Sequence, residues 1–304
     1  MAQLANARPQ HEHRDSAALA VGLIAPITWG MTGVFVRLLH GVPILQIVAI
    51  RLLVAVLLLS PWAWRRRHMF QDALRSPLAA AMGAYYIFAT EAFARAPVVE
   101  VTLLVGSAPV IAVGLEFLRG RRPPREQILG ALIAISGLVL FLRPGDGISN
   151  AQGVGYAFAL GAAAVSAIYA VGLRARVQAQ RPLDPLVLTI CACILGTLAS
   201  LVLLAYPLGY GGLPAPPARE SMLLVLLGGL STAVPTLAFG IASARLPSVL
   251  TTSLNLTTPL FAALFAGLFL AEWPVLAAVP GALVTVAGVV MVLRSPGRRT
   301  QPSA

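Results

Sequence analysis

The chain contains no lysine. All 22 of its basic residues are arginine, set against 11 acidic residues, four histidines and two cysteines in a length of 304. Charged side chains make up 11% of it, where a soluble domain carries about 25%. The missing lysine reads as compositional bias with no functional content. Cys191 and Cys193 lie two apart in an apolar stretch, which points them to roughly opposite sides of a helix. They are expected to be buried free thiols, since that geometry opposes a disulfide and two thiols alone make no zinc site. His11 and His13 stand in a polar N-terminal segment with no further ligands nearby, so no metal is expected. There is no P-loop to couple the chain to ATP, and no Ser-His-Asp set with carboxylates in loops. The sequence therefore calls for no cofactor and no catalysis. The net charge of +11 does not point to nucleic acid either, because the arginines punctuate apolar runs instead of forming a patch.

What is abundant is apolar length. Hydrophobic residues are 58% of the chain and the mean hydropathy is +0.83, so lipid is the expected solvent. A bilayer span needs roughly 20 mostly apolar residues. Ten stretches qualify, near 17–38, 43–63, 77–94, 97–118, 127–142, 152–173, 185–206, 220–243, 247–269 and 274–293. The first is too long, and too well continued, for a cleaved signal peptide. Residues 1–16 and 295–304 read as polar, disordered tails. With the N-terminus inside, 17 arginines fall on the inner side and four on the outer. That imbalance places both termini in the cytoplasm and the chain in the cytoplasmic (inner) membrane.

The sequence also repeats itself. Ala94-Arg95-Ala96-Pro97 with Pro109 matches Ala244-Arg245-Leu246-Pro247 with Pro259 at an offset of 150. Gly130, Gly137 and Arg143 match Gly281, Gly288 and Arg294 at 151, and Trp29-Gly30 with Arg37 aligns with Ser166-Ala167 and Arg174 at 137. The halves are 17–145 (spans one to five) and 150–294 (spans six to ten). Five is odd, so the second half must enter the membrane from the opposite side. The expected architecture is all-α and integral to the membrane, with ten transmembrane helices in two inverted five-helix repeats.

Four features make the chain resemble the EamA branch of the drug/metabolite transporter superfamily. They are Trp29-Gly30 in the first span; Arg51-Leu-Leu-Val-Ala-Val-Leu-Leu-Leu in the second; Thr232-Ala-Val-Pro-Thr followed by Ala244-Arg-Leu-Pro; and Pro259 with Glu272 and then Gly281. The resemblance covers about 17 to 294. It departs from the family pattern at Gly120-Arg121, where the first half should carry Glu after its glycine. What the resemblance implies is a bundle around a central cavity lined by spans one, three, four, six, eight and nine. Through it would pass small organic molecules, often amino acids and related metabolites, usually outward.

Several residues suit that cavity. In span nine, Ser248, Thr251, Thr252, Asn255, Thr258 and Pro259 recur on one helix face. The stripe is either a hydrogen-bonding wall for solute or polar glue between helices. Trp29 and Thr32, Tyr85, Tyr86 and Thr90, Ser166 and Tyr169, and Ser231 and Thr236 extend the candidate substrate-binding wall, with plain packing as the alternative for any one aromatic. Pro109 and Pro259 each remove a backbone hydrogen bond and are expected to kink their helices. Arg51 sits mid-span and must pair or reach water. Glu91 and Glu100 are its nearest candidate partners, roughly 6–8 Å shallower by helical rise, while Glu91 could instead meet Arg95 four residues on. These charges serve solute recognition, proton coupling or a structural ion pair. Glu116 is expected to meet the Arg119–Arg122 cluster, and Glu272, just before Pro274, to favour the start of the last span. Tyr206, Tyr210 and Trp273 read as interfacial belt residues.

The sequence thus points to a secondary transporter, an exporter of small metabolites such as amino acids, working by alternating access. A channel-like pore or passive facilitator is the alternative. A small-molecule substrate and membrane lipid are its expected partners, and nothing in the sequence demands more than a monomer.

Overall fold

The computed structural model describes residues 7–118, 120, 123–142, 149–208, 215–243 and 257–294. Every regular element among them is helical. Helix α1 (Ala7–Gly30) continues, after a break at Met31, into α2 (Thr32–Leu38). It begins at Ala7, so ten residues of the expected polar tail are helical. Next come α3 (Ile44–Trp64), the short α4 (Phe70–Leu74) and α5 (Pro77–Arg95). Helix α5 starts on Ser76, whose hydroxyl accepts from Leu78 N, with Pro77 in the first turn where no N–H is needed. It stops at Ala96, because the residue before a proline is pushed out of helical geometry. Pro97 then leads into α6 (Val98–Gly106), which is interrupted at Ser107, two residues before Pro109, and resumes as α7 (Ala108–Leu118).

The later elements are α8 (Arg125–Leu142), α9 (Asn150–Gln178) and α10 (Pro185–Leu208). Asp184 opens α10, its Oδ1 accepting from Leu186 N and Val187 N at 3.0 Å each. Helix α11 (Ala218–Gly228) passes through a π-helical turn (Gly229–Ala233) into α12 (Val234–Ser243). The described chain closes with α13 (Thr258–Leu270) and α14 (Val279–Arg294).

Seven described stretches are long and apolar enough to cross a membrane: Leu19–Leu38, Ile44–Trp64, Val98–Leu118, Arg125–Leu142, Asn150–Leu173, Pro185–Ala205 and Ala218–Phe239. Thr258–Leu270 and Leu276–Val292 are shorter apolar helices. The count falls short of the ten expected for local reasons. Helix α5 is 19 residues long but carries Glu91 and Arg95. The expected ninth span loses its first half to residues 244–256, which lie outside the described residues. The tenth is shortened by a 3₁₀ turn at Leu276–Ala278.

Large apolar side chains such as Leu57, Leu132, Val202 and Leu268 are exposed, as a lipid-facing surface requires. Lipid tails are as apolar as leucine, so helix association there depends on close backbone approach and interhelical hydrogen bonds. The tightest pair is α8 with α14. A Cβ on Gly130 would lie 2.8 Å from Gly288 O, and one on Gly288 would lie 2.6 Å from Gly130 O. A Cβ on Gly281 would lie 2.9 Å from Gly137 O. Elsewhere, Gly30 of α1 leaves room for Phe261 and Ala262 of α13, and Gly83 of α5 meets the α10 backbone at Ala192 and Gly196.

Cys191 and Cys193 are both buried and free. They sit in different clusters, Cys191 with Leu78 and Leu188, Cys193 with Leu52 and Tyr86.

Candidate functional site

The deepest polar arrangement is built on Arg51, eight residues inside α3 from Pro43, about 12 Å down the helix at 1.5 Å per residue. The side chain is 2% exposed. Its Nη1 donates to Thr90 Oγ1 at 3.2 Å. Its Nε and Nη2 donate to Thr232 Oγ1 at 3.3 and 3.0 Å. The guanidinium lies over the Tyr86 ring, 5.4 Å from its centroid, a cation–π contact strengthened by the lack of water. Thr90 and Thr232 are themselves fully buried. Each hydroxyl keeps its own proton on a helix carbonyl, Thr90 on Tyr86 O at 2.7 Å and Thr232 on Leu227 O at 3.3 Å.

The π-helical turn makes this possible. A Cβ at Gly228 would sit 2.6 Å from Arg51 O and 2.7 Å from Val54 Cβ, so glycine lets α11 ride directly on α3. The turn that follows adds one residue to the helical repeat and presents two hydroxyls to different neighbours. Ser231 donates to Thr28 O of α1 at 3.0 Å, and Thr232 accepts from Arg51. One turn on, Thr236 donates to Thr232 O at 2.6 Å. The ring of Trp29 lies 5.8 Å from that of Phe239, and Tyr85 packs edge-on against Tyr86 at 5.6 Å. Trp29, Tyr85 and Thr236 are each half-buried. The arrangement joins α1, α3, α5 and the α11–α12 segment around one buried cation.

Neither expected carboxylate reaches that cation. Glu91 accepts from Arg95 Nε and Nη2 at 2.9 and 2.7 Å, an i,i+4 pair on one helix face. Arg95 in turn lies over the Phe158 ring of α9, 5.8 Å from its centroid. Glu100 accepts from the Tyr156 hydroxyl of α9. Among the described residues no Asp or Glu forms an ion pair with Arg51, so the expected ion pair is replaced by hydroxyls and a ring.

Glu272 is also corrected. It does not serve the helix that follows it. The Ala271 backbone turns left-handed, with φ 57°, and the carboxylate reaches two other elements. Its Oε1 accepts from Arg37 Nη2 and Nε at 2.6 and 3.1 Å, and its Oε2 accepts from Val98 N at 3.4 Å. The helix N-terminus that it serves is therefore that of α6.

The comparisons with known proteins bear on this geometry. The EamA-like transporter family model matches residues 16–143 and 153–294. The chain belongs to the EamA-like transporter family. It is accordingly a multi-pass membrane protein of a transporter family that handles small-molecule substrates. This EamA-like transporter is similar to a curated protein of Streptantibioticus cattleyicolor described as a "probable terminal-alkyne amino-acid exporter". The two are 30% identical over 229 residues, which is 74% of each chain. It is also similar in fold to a solved crystal structure, with a TM-score of 0.61 and 22% identity, over 91% of this chain and 96% of that one.

Of the residues singled out in the sequence, the structure of this EamA-like transporter gathers Trp29, Tyr85, Tyr86, Thr90, Arg51 and Thr236 near one junction. Thr32 is buried in α2. Ser166 lies half-buried on α9, and Tyr169 packs with Leu78 and Leu188. Thr258 and Pro259 open α13, while Ser248, Thr251, Thr252 and Asn255 lie outside the described residues. So do Arg119, Arg121, Arg122 and Tyr210, and the side chain of Tyr206. Trp273 is 61% exposed, its ring against Gly267. The sequence reading missed Thr232, Tyr156 and Phe239 as contributors. For Thr232 a signal was present: it follows the Gly228-Gly229 pair that brings its helix onto Arg51.

Proposed function

We propose that this EamA-like transporter is a secondary exporter of amino acids or related amphipathic metabolites. It works by alternating access between two inverted five-helix halves, with both termini in the cytoplasm. The observation that carries the reading is the α8–α14 pair. Gly130 and Gly281 are repeat partners, as are Gly137 and Gly288. Gly130 packs on Gly288, and Gly281 on Gly137. Each glycine therefore meets the repeat partner of the other. Such reciprocal, antiparallel contact supports a two-fold axis lying in the membrane plane, the symmetry of inverted repeats. Gly120 and Ala271 add to it, since both end a helix with positive φ at the same 151-residue offset. The relative's name supports amino acids as the solute class.

In this reading Trp29, Thr32, Tyr85, Tyr86, Thr90, Ser166, Tyr169, Thr236, Thr251, Asn255 and Thr258 contribute to the solute pathway. Two interchangeable halves give two equivalent end states, one open to each side, which a secondary transporter needs and a pore does not. Reconstitution in liposomes tests this. Saturable counterflow of an amino acid, with no single-channel conductance, is the expected result. Conductance without saturation would favour a pore.

A further inference from the structure

We propose that Arg51 sets the class of solute: its buried positive charge selects molecules that carry a carboxylate and rejects amines and amides. The inference rests on the transport reading only in supposing that a solute passes close to the Arg51 junction.

The argument is one of charge balance. The elements packed around Arg51 are α1, α3, α5, α10 and the α11–α12 segment. Their acidic residues are Glu12 and Asp15 on α1, Glu91 on α5 and Glu220 in the first turn of α11. Asp15, the nearer of the α1 pair, lies 13 residues before Thr28, the α1 residue at this junction, about 20 Å along the helix. Glu91 is committed to Arg95. Glu220 lies twelve residues before Thr232, about 18 Å along the helix. Helices α10 and α12 contain no acidic residue. The cation is therefore solvated by two threonine hydroxyls and a ring face, none of which carries charge. A guanidinium presents five N–H donors, and the contacts to Thr90 and Thr232 engage three of them. A charge so far from water is costly. A structural purpose could be met by an apolar side chain or by an ion pair, and among the described residues Arg51 has no such ion pair.

The field of that charge reaches the half-buried surface. Tyr85 packs edge-on against the ring beneath the guanidinium, and Thr236 bonds to the backbone of the threonine that accepts from it. A carboxylate arriving beside Tyr85 and Thr236 meets an uncompensated positive potential in low dielectric. An ammonium alone meets repulsion. A zwitterionic amino acid enters with its carboxylate toward Arg51.

The test uses purified full-length protein and two probe series, each holding the side chain fixed while its charge changes. One is L-phenylalanine, 3-phenylpropanoate, L-phenylalaninamide and 2-phenylethylamine. The other is L-propargylglycine, its amide and its amine. Thermal stabilisation in detergent ranks binding, and counterflow in liposomes ranks transport. In the wild type the carboxylate members should bind about tenfold or more tighter than amides and amines. Arg51→Gln should collapse that ratio to near one, and Arg51→Lys should restore part of it. Thr232→Val, which removes two guanidinium bonds and leaves the charge, should keep the ratio, so the test survives if Arg51→Gln fails to fold.

Equal binding of amines and carboxylates, full discrimination in Arg51→Gln, or no binding by any carboxylate would each overturn the inference. Carboxylate-selective binding without flux would leave it standing and reject the transport reading.

Discussion

Arg37 and Glu272 meet across 235 positions of sequence, with the guanidinium Nη2 2.6 Å from the carboxylate Oε1. The same carboxylate holds Val98 N, so one side chain of the α13–α14 connection ties the end of α2 to the start of α6. The repeat-related positions of Arg37 and Glu272 are Arg174 and Arg121. Two arginines cannot form this pair, so the latch belongs to one end of the molecule. Glu272→Gln keeps an acceptor for Val98 N but loses the charge. Both partners are about a third exposed or less, and a pair of this kind contributes about 1 kcal/mol. A double-mutant cycle of Glu272→Gln with Arg37→Met, read by unfolding in detergent, should give a coupling of about that size. A coupling indistinguishable from zero would mean that Val98 N alone is what Glu272 serves.

That latch marks how far the sequence could be read. Arg37 was visible as a repeat position and Glu272 as a family position, but nothing local joins residues so far apart. The all-helical membrane architecture was legible because hydropathy and helix length are set by the lipid, which acts on every span alike. The span starts expected near 77, 97 and 185 fall where helices open at Pro77, Val98 and Pro185, since proline suits a first turn and restricts the residue before it. The mid-membrane charge of Arg51 was legible too. Its partners were not, because threonines are common along apolar helices and only a π-helical turn decides which of them faces α3. Glu91 and Glu100 looked available by depth, yet each had a nearer donor in Arg95 and Tyr156.

The α8–α14 pair makes a sharp prediction about glycine. A Cβ on Gly288 would lie 2.6 Å from Gly130 O, and the obstructing atoms are backbone, which cannot swing aside. Gly288→Ala should separate the helices and cost about 2–3 kcal/mol, as overpacking does elsewhere. Gly153→Ala on α9 is the control, since nothing lies within 4 Å of its Cβ position. Yield and melting temperature by fluorescence-detected size exclusion would separate them. Equal behaviour of the two variants would contradict the close packing described here.

The π-helical turn can be removed directly. Leu230 is 37% exposed and lies within the turn. Deleting it restores an α-helical count and rotates everything on one side of the deletion by about 100° relative to the other. Ser231 and Thr232 could then no longer serve Thr28 O and Arg51 together. The deletion should leave the protein inserted in the membrane but abolish counterflow. Substituting Leu230→Ala, which keeps the count, should spare it. Flux in the deletion variant would show that the turn does not position the site.

Arg51→Met separates a functional charge from a structural one. If the guanidinium were the bolt that holds α3, α5 and α11 together, removing it should unfold the protein. The hydrogen bonds argue otherwise. Thr90 and Thr232 keep acceptors on Tyr86 O and Leu227 O without Arg51, so the substitution strands no buried donor. Methionine fills much of the arginine stem and adapts to irregular space, while the cost of holding a charge away from water disappears. Stability should therefore change by less than about 1 kcal/mol, or rise, while binding of L-phenylalanine is lost. A fall in melting temperature as large as that of Gly288→Ala would reverse the assignment, making Arg51 a brace between helices with no part in choosing the solute.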